Sequence, residues 1–372
     1  MQRSDLTKTK RWVVKVGSSL VTDDGQGLNS ELIYQWSQQI VSLREIGVDV
    51  VLVSSGSVAA GLQRLGWHKR PNALHKLQVA AAVGQASLVR CYEQVFAQHQ
   101  VTTAQVLLTD ADLQNRQRYL NARATFRSML EFGVLPIVNE NDTVAVEEIR
   151  FGDNDSLAAL VANLIDADML VILTDQQGLY DDNPRTNPAA KLIDYANAND
   201  PDLMKYASGG GALGMGGMVT KLKAARIASR TGASTVIANG RIDNVLLSIC
   251  RGEDIGSLLV SQSDRLTSRK QWMANQLRVK GSLTLDEGAV KVLISSGKSL
   301  LPVGVVAVSG KFDRGELVSC VDANGSEVAR GLVNYSSTEA AIILGKPSQK
   351  IHELLGYVSD AELIHRDNLV LS

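Results

Sequence analysis

The chain has 372 residues, 45% of them hydrophobic and 21% charged, and its 38 Lys and Arg against 39 Asp and Glu leave a net charge of −1. This composition excludes disorder or a fibrous repeat as the main state, and the balanced charge gives neither a nucleic-acid footprint nor an acidic tail. No run of about 18 apolar residues occurs, so no membrane-spanning helix is expected, and the length allows two or three domains.

The three cysteines, Cys91, Cys250 and Cys320, are far apart and show no CxxC spacing. They fit a reducing compartment and exclude a disulfide scaffold or a zinc knuckle. The opening MQRSDLTKTKRW is polar, with no apolar segment behind it. A secretory signal is therefore not expected, and a cytoplasmic location is.

Apolar, largely β-branched runs occur at 12–16, 48–54, 102–109, 133–139, 168–174 and 234–239. Most are apolar on both faces, the pattern of strands inside a parallel sheet covered by helices. Helical periodicity fills the gaps at 29–46, 73–98, 116–132 and 156–167. The alternation predicts an α/β fold over 1–262, a three-layer sandwich with a mainly parallel sheet and right-handed crossovers. The Ala-, Leu- and Val-rich segment 73–98 suits a core or an interface between copies equally well. Residues 263–277 are polar and charged and read as a linker. From 278 to 372, short strand-like runs alternate with Gly turns, predicting a small β-rich domain. Its clearest signal is the Asn-Gly of VSCVDANGSEVARG, a hairpin pattern.

In open parallel sheets, ligands bind beyond the C-terminal strand ends. The first run is followed by Gly17-Ser18-Ser19 and the second by Ser54–Gly61. Such turns can aim backbone N–H groups at an anion on a helix N-terminus, although singly each also reads as a tight turn. Lys15, inside the apolar WVVKVG, is expensive to bury unless paired. Either it faces whatever the glycine turn holds, or it snorkels from an edge strand. The run GGGALGMGGMVTKLKAARIAS (209–229) places glycines before a helix expected to begin near Met218, with Lys221 one turn inside. Bare amides, a helix N-terminus and one lysine make a phosphate cradle; the alternative is a flexible linker. The spacing matches neither GxxxxGK[ST] nor a GxGxxG that follows a strand.

Asn139-Glu140-Asn141-Asp142 and the 147–155 segment put dense polar clusters at neighbouring strand ends, suited to an ammonium, amide or hydroxyl group. One of Asp153 to Asp155 also suits a helix cap. The fifth run ends at Thr174-Asp175, and the long polar loop beyond it suits a nucleotide base and ribose, or a lid. None of the five histidines lies in these loops, and no HExxH or GxSxG spacing appears, so neither a protein-built zinc site nor a hydrolase elbow is expected. Two lysines, anion loops and no histidine base favour phosphoryl transfer to an acceptor that needs no deprotonation. A carboxylate, with an ordinary pKa of about 4.3, is such an acceptor. Catalysis would then rest on positioning and on charge neutralisation by lysines and magnesium.

The segments VVKVGSSLVT (13–22), VLVSSGSVAAG (51–61), LLTDAD (107–112), PIVNENDTVA (136–145), EIRFGDNDSLAA (148–159), LTDQQGLYDDNPR (173–185) and GMGGMVTKLKAA (214–225) resemble the amino acid kinase family. The resemblance spans essentially the whole chain, and NEND, GDND and GMGGMxTK together resemble its glutamate-phosphorylating branch. It implies ATP-dependent phosphorylation of the γ-carboxylate of L-glutamate to γ-glutamyl phosphate, the first step of proline biosynthesis, with proline as feedback inhibitor. It implies Lys15 and Lys221 as the lysines that neutralise the transferring phosphoryl group, and Asp155 as the acid that orients them. Ser55, Asp142 and Asn154, with Asp153 beside them, match glutamate-binding positions. Lys15, Thr174, Asp175 and the segment Met215, Gly216, Gly217, Met218, Val219, Thr220 and Lys221 match the ATP site. Arg150 stands where many relatives carry lysine, a change of geometry at constant charge. Mg2+ is implied as Mg-ATP, with no protein metal ligands assigned. A homo-oligomer, dimer or tetramer, is implied, as is contact with the reductase of the next step.

Residues 278–372 resemble a PUA domain, a small β-barrel that binds RNA elsewhere. Here ten Lys and Arg face eleven Asp and Glu, a charge that does not support phosphate-backbone binding. Two alternatives stay open on the sequence: a kinase of the same fold acting on another carboxylate, carbamate or nucleoside monophosphate, and an RNA-binding protein that has kept a kinase-like fold.

Overall fold

The computed structural model describes residues 1–23, 27–145, 154–184, 186–208, 215–261 and 279–371. The chain divides into two compact units, one of residues 1–114 and 121–268, the other of 115–120 and 269–372. The expected linker, 263–277, lies outside the described residues.

The first unit is built on an eight-stranded sheet. Its strands are β1 (Arg11–Val16), β2 (Asp49–Ser54), β3 (Thr103–Leu108), β4 (Leu135–Glu140), β5 (Met169–Thr174), β6 (Tyr195–Asn197), β7 (Ser234–Asn239) and β8 (Ser257–Val260). Their spatial order is β3-β4-β2-β1-β5-β7-β8-β6. β1 to β5 and β7 follow the six apolar runs and pair in parallel, and β6 pairs in parallel with β8. β8 runs antiparallel to β7. The chain moves outward from β1 through β2 to β3 at the edge, comes back with β4 between β3 and β2, then crosses with β5 to the other side of β1. The C-terminal ends of β2, β1 and β5 therefore flank a switch point in the strand order, where such sheets open a crevice.

Strand alternation assigns the faces of β1. Trp12, Val14 and Val16 join one core with Ile33, Trp36 and Ile40 of the Ser30–Glu45 helix and Leu88 and Tyr92 of the Leu74–Ala97 helix. Val13 and Lys15 point to the other face and are buried as well. There the helices Asp155–Leu164 and Met215–Ser229 cover the sheet. Both faces are thus closed by helices, and Lys15 stands on a central strand. Snorkelling from an edge is excluded for it.

One boundary differs from expectation. The helix after the glycine run begins at Met215, three residues before the expected Met218. Gly216 and Gly217 form its first turn, where the entropic cost that glycine brings to a helix interior is least felt.

The second unit carries a five-stranded sheet of β9 (Val279–Leu285), β10 (Val305–Gly310), β11 (Leu317–Val321), β12 (Glu327–Leu332) and β13 (Leu369–Leu371), in the order β10-β9-β11-β12-β13. β11 and β12 form the antiparallel hairpin expected from the Asn-Gly signal, and Gly325 takes φ +82° in its loop. The unit has its own core, including Leu283, Phe312, Tyr335, Ile343 and Leu363. Residues 115–120 group with it because Leu120 packs with Leu317 and Leu332.

Candidate active site

Asp155 opens the Asp155–Leu164 helix and is fully buried. A lone carboxylate there would be untenable, and it is not alone. Lys15 Nζ lies 2.6 Å from its Oδ1, and Lys221 Nζ lies 3.0 Å from its Oδ2. Thr220 Oγ donates to the same Oδ2 at 2.9 Å, and Lys221 Nζ also donates to the Gly217 carbonyl at 3.1 Å. Three distant elements meet here: the end of β1, the start of the Asp155 helix and the second turn of the Met215 helix. Two ammonium groups on one carboxylate carry a net charge of +1 in a nearly dry setting, where an anion is attracted far more strongly than in water.

The second cluster surrounds the end of β2. Ser55 is buried, and its Oγ has no hydrogen-bond partner among the described residues. The Ser55 amide is spent on the Val16 carbonyl at 3.3 Å, and the Gly17 amide on Leu173 at 3.1 Å. The anion-facing donors expected at these two turns therefore narrow to the leading amides of the helices Ser18–Val21 and Ser57–Arg64, since Leu20 and Val21 already donate to the Gly17 carbonyl and Ala60 to that of Gly56. Gly56 caps the second of these with φ +102°, and a Cβ there would also meet Thr22 and Val21 at about 3 Å. Ser57 Oγ donates to Asp142 Oδ2 at 2.8 Å, tying this turn to the loop after β4.

Asn154 joins the two clusters. Its Nδ2 donates to the Ser54 carbonyl at 2.7 Å and to Asn139 Oδ1 at 2.6 Å. Asn139 is itself buried at the end of β4. Thr174 ends β5, and its hydroxyl donates to Asp175 at 3.1 Å. Thr174 is buried and Asp175 exposed, so this strand end reaches from the crevice to solvent.

The structure thus brings together Lys15, Asp155, Thr220 and Lys221 in one cluster, and ties Asp142 to Ser57 and Asn154 to the end of β2. Asp153 and Arg150 lie outside the described residues. Sequence reasoning assigned no role to Ser57, or to Gln85 and Tyr92 of the Leu74–Ala97 helix. Gln85 Oε1 accepts from Asn139 Nδ2 at 2.6 Å, and the Tyr92 hydroxyl lies 3.0 Å from Ser54 Oγ. Burial pushes the Tyr92 phenol well above its ordinary value, only partly offset by that hydroxyl contact. A Gln and a Tyr seven residues apart on one face of that helix are the signal that could have found them. Among the described residues, no three His, Cys, Asp or Glu side chains come together as a metal site.

Residues 10–239 match the model of the amino acid kinase family, and residues 281–355 match that of the PUA domain. The chain is 58% identical over 370 residues to glutamate 5-kinase of Stutzerimonas stutzeri, covering 99% of this chain and all of that protein. It is equally identical over 374 aligned positions to glutamate 5-kinase of Hydrogenovibrio crunogenus, covering the whole of both. UMP kinase from Bacillus anthracis superposes with a TM-score of 0.48 at 17% identity, over 68% of this chain and 97% of that one.

Proposed function

We propose that this chain, which belongs to the amino acid kinase family, transfers the γ-phosphoryl group of ATP to the γ-carboxylate of L-glutamate. The observation that carries this reading is the pairing of Lys15 and Lys221 on the buried Asp155. Full-length similarity to proteins named glutamate 5-kinase supports the choice of acceptor.

In this reading the γ-carboxylate is already ionised at neutral pH, so no general base is needed. One carboxylate oxygen attacks the γ-phosphorus, the bond to the bridging oxygen breaks, and ADP leaves with that electron pair. Negative charge accumulates around the transferring group. Lys15 and Lys221 neutralise it, and Asp155 fixes both ammonium groups so that they need not reorganise during the step. Thr220 holds the Asp155 carboxylate in the orientation that serves both. Asp142 pairs with the α-ammonium of glutamate, while Ser55 and the first-turn amides of the Ser57 helix receive its carboxylate. Asn154 completes this substrate set, with Asp153 beside it. Thr174, Asp175 and residues 215–221 hold the nucleotide.

The magnesium that suits this chemistry would travel on the ATP phosphates, where its charge adds to that of the two lysines. No helix is long and apolar enough to cross a membrane. The reading includes a cytoplasmic enzyme that supplies an acyl phosphate to a reductase in proline synthesis, feedback inhibition by proline, and a homo-oligomer. It also includes a kinase domain over 1–262 and a PUA domain over 278–372.

The test is ADP release with Mg-ATP and L-glutamate, the product being trapped as a hydroxamate, with aspartate, acetylglutamate and UMP run in parallel. Glutamate-dependent hydroxamate that falls on adding proline is the expected outcome. Turnover on another acceptor alone would overturn the substrate.

A further inference from the structure

Asn154 has two N–H donors, and both are spent: one on the Ser54 carbonyl, the other on Asn139 Oδ1. What its side chain has left to offer is a carbonyl oxygen, an acceptor. That polarity is imposed from outside. Asn139 Oδ1 accepts from Asn154 and also from the Glu140 amide at 2.9 Å, while Asn139 Nδ2 donates to Gln85 Oε1 at 2.6 Å. A flip of Asn139 would set its N–H2 against two donors and its oxygen against the Gln85 oxygen. The chain of amides therefore has one sense, read from Gln85 through Asn139 to Asn154, and every member of it is at least half-buried.

We infer that Gln85 is a positioning residue for substrate recognition. It holds Asn154 with its carbonyl oxygen toward the substrate, so that Asn154 accepts from the α-ammonium and not from a carboxylate, which has no proton to donate. The inference rests on the reading of the substrate as L-glutamate. Gln85 itself touches none of the reacting atoms. It sits on the Leu74–Ala97 helix, on the opposite side of Asn139 from Asn154. Losing its oxygen leaves the buried Asn139 Nδ2 without its acceptor, so Asn139 shifts to satisfy it and Asn154, bonded to Asn139 Oδ1, is displaced with it.

The test compares L-glutamate with glutarate, the same diacid without the ammonium group, used as a competitive inhibitor. Q85M keeps length and helix propensity but removes the acceptor, whereas the carboxylate of Q85E still accepts from Asn139. In Q85M the KM for L-glutamate should rise about tenfold, the ratio set by loss of a charge-assisted hydrogen bond. The KM for ATP and the Ki of glutarate should stay within about twofold. In Q85E the KM for glutamate should return to within about threefold of the parent. A parallel rise in glutarate Ki, an unchanged KM for glutamate in Q85M, or a Q85E as impaired as Q85M would each overturn the positioning role. Failure of the substrate reading itself is seen separately, in a parent enzyme that makes no glutamate-dependent hydroxamate; that result would take this inference with it.

Discussion

Lys15 and Lys221 grip opposite oxygens of the Asp155 carboxylate, at 2.6 and 3.0 Å, from elements more than 200 residues apart in sequence. Breaking a buried pair from the acid side leaves both ammonium groups uncompensated. Asp155→Asn should therefore lower stability by about 3–5 kcal/mol. It should also lower kcat by about a hundredfold or more, the scale of losing a preorganised electrostatic element. Denaturant unfolding and steady-state kinetics check the two halves. A stable variant with full turnover would remove Asp155 from the mechanism.

Lys221→Met tests the second charge. The side chain keeps its length, so the helix and its packing should persist, while about a hundredfold in kcat is lost with KM for glutamate little changed. Lys221→Arg should not restore the rate, because a planar guanidinium cannot place one point charge both 3.0 Å from Asp155 and 3.1 Å from the Gly217 carbonyl. Equal rates for the Arg variant and the parent would show that charge alone suffices.

What the sequence made legible follows from where each signal is stored. Most of β1 to β5 and β7 are apolar on both faces, so their runs stand out against the helices. β6 is three partly exposed residues, Tyr195–Asn197, and has no such contrast. Lys15 was legible as a charge inside an apolar strand, and its partner Asp155 through the GDND motif. Gln85 and Tyr92 were not, because the groups that give them meaning, Asn139 and Ser54, lie 54 and 38 residues away and meet them only in the fold. The helix after the glycine run was started late, at Met218 and not Met215, since glycine weakens a helix interior far more than a first turn; residues 209–214 of that run lie outside the described residues.

Asp142→Asn should separate binding from chemistry. Asp142 accepts from Ser57 Oγ at 2.8 Å, so the loop geometry survives an amide, but the charge facing the ammonium is lost. KM for glutamate should rise about tenfold or more while KM for ATP moves little. Initial-rate measurements with each substrate varied in turn decide this; equal shifts in both would argue against ammonium pairing.

The thiol of Cys320 gives a pH dependence of known sign. Burial, helped by the nearby Glu327 charge, pushes it up to about 12 from an ordinary 9.0. The folded state thus favours the neutral thiol. Its contribution to stability is fully present below pH 9 and is lost as the pH climbs from 9 towards 12. Between pH 9 and 11 the Tm of the parent should fall more steeply than that of Cys320→Val. Burial also raises the thiols of Cys91 and Cys250, so a disulfide exchange reagent should label all three more slowly in the folded protein than after unfolding, with the half-buried Cys91 reacting first.

Gly84→Ala sets two effects of opposite sign against each other. Alanine in a helix interior is worth about 1 kcal/mol over glycine. At this position, however, the added Cβ would stand 1.8 Å from the Ser57 carbonyl oxygen and 2.4 Å from the Gly61 nitrogen. Both are backbone atoms, which no rotamer change can move aside. The helices Ser57–Arg64 and Leu74–Ala97 must part, at about 1–3 kcal/mol for overpacking, so destabilisation should prevail. The movement begins at Ser57, whose hydroxyl holds Asp142, and a higher KM for glutamate should accompany the lower Tm. A variant with raised Tm and unchanged KM would show that the two helices separate freely and that their close contact does not set the substrate loop.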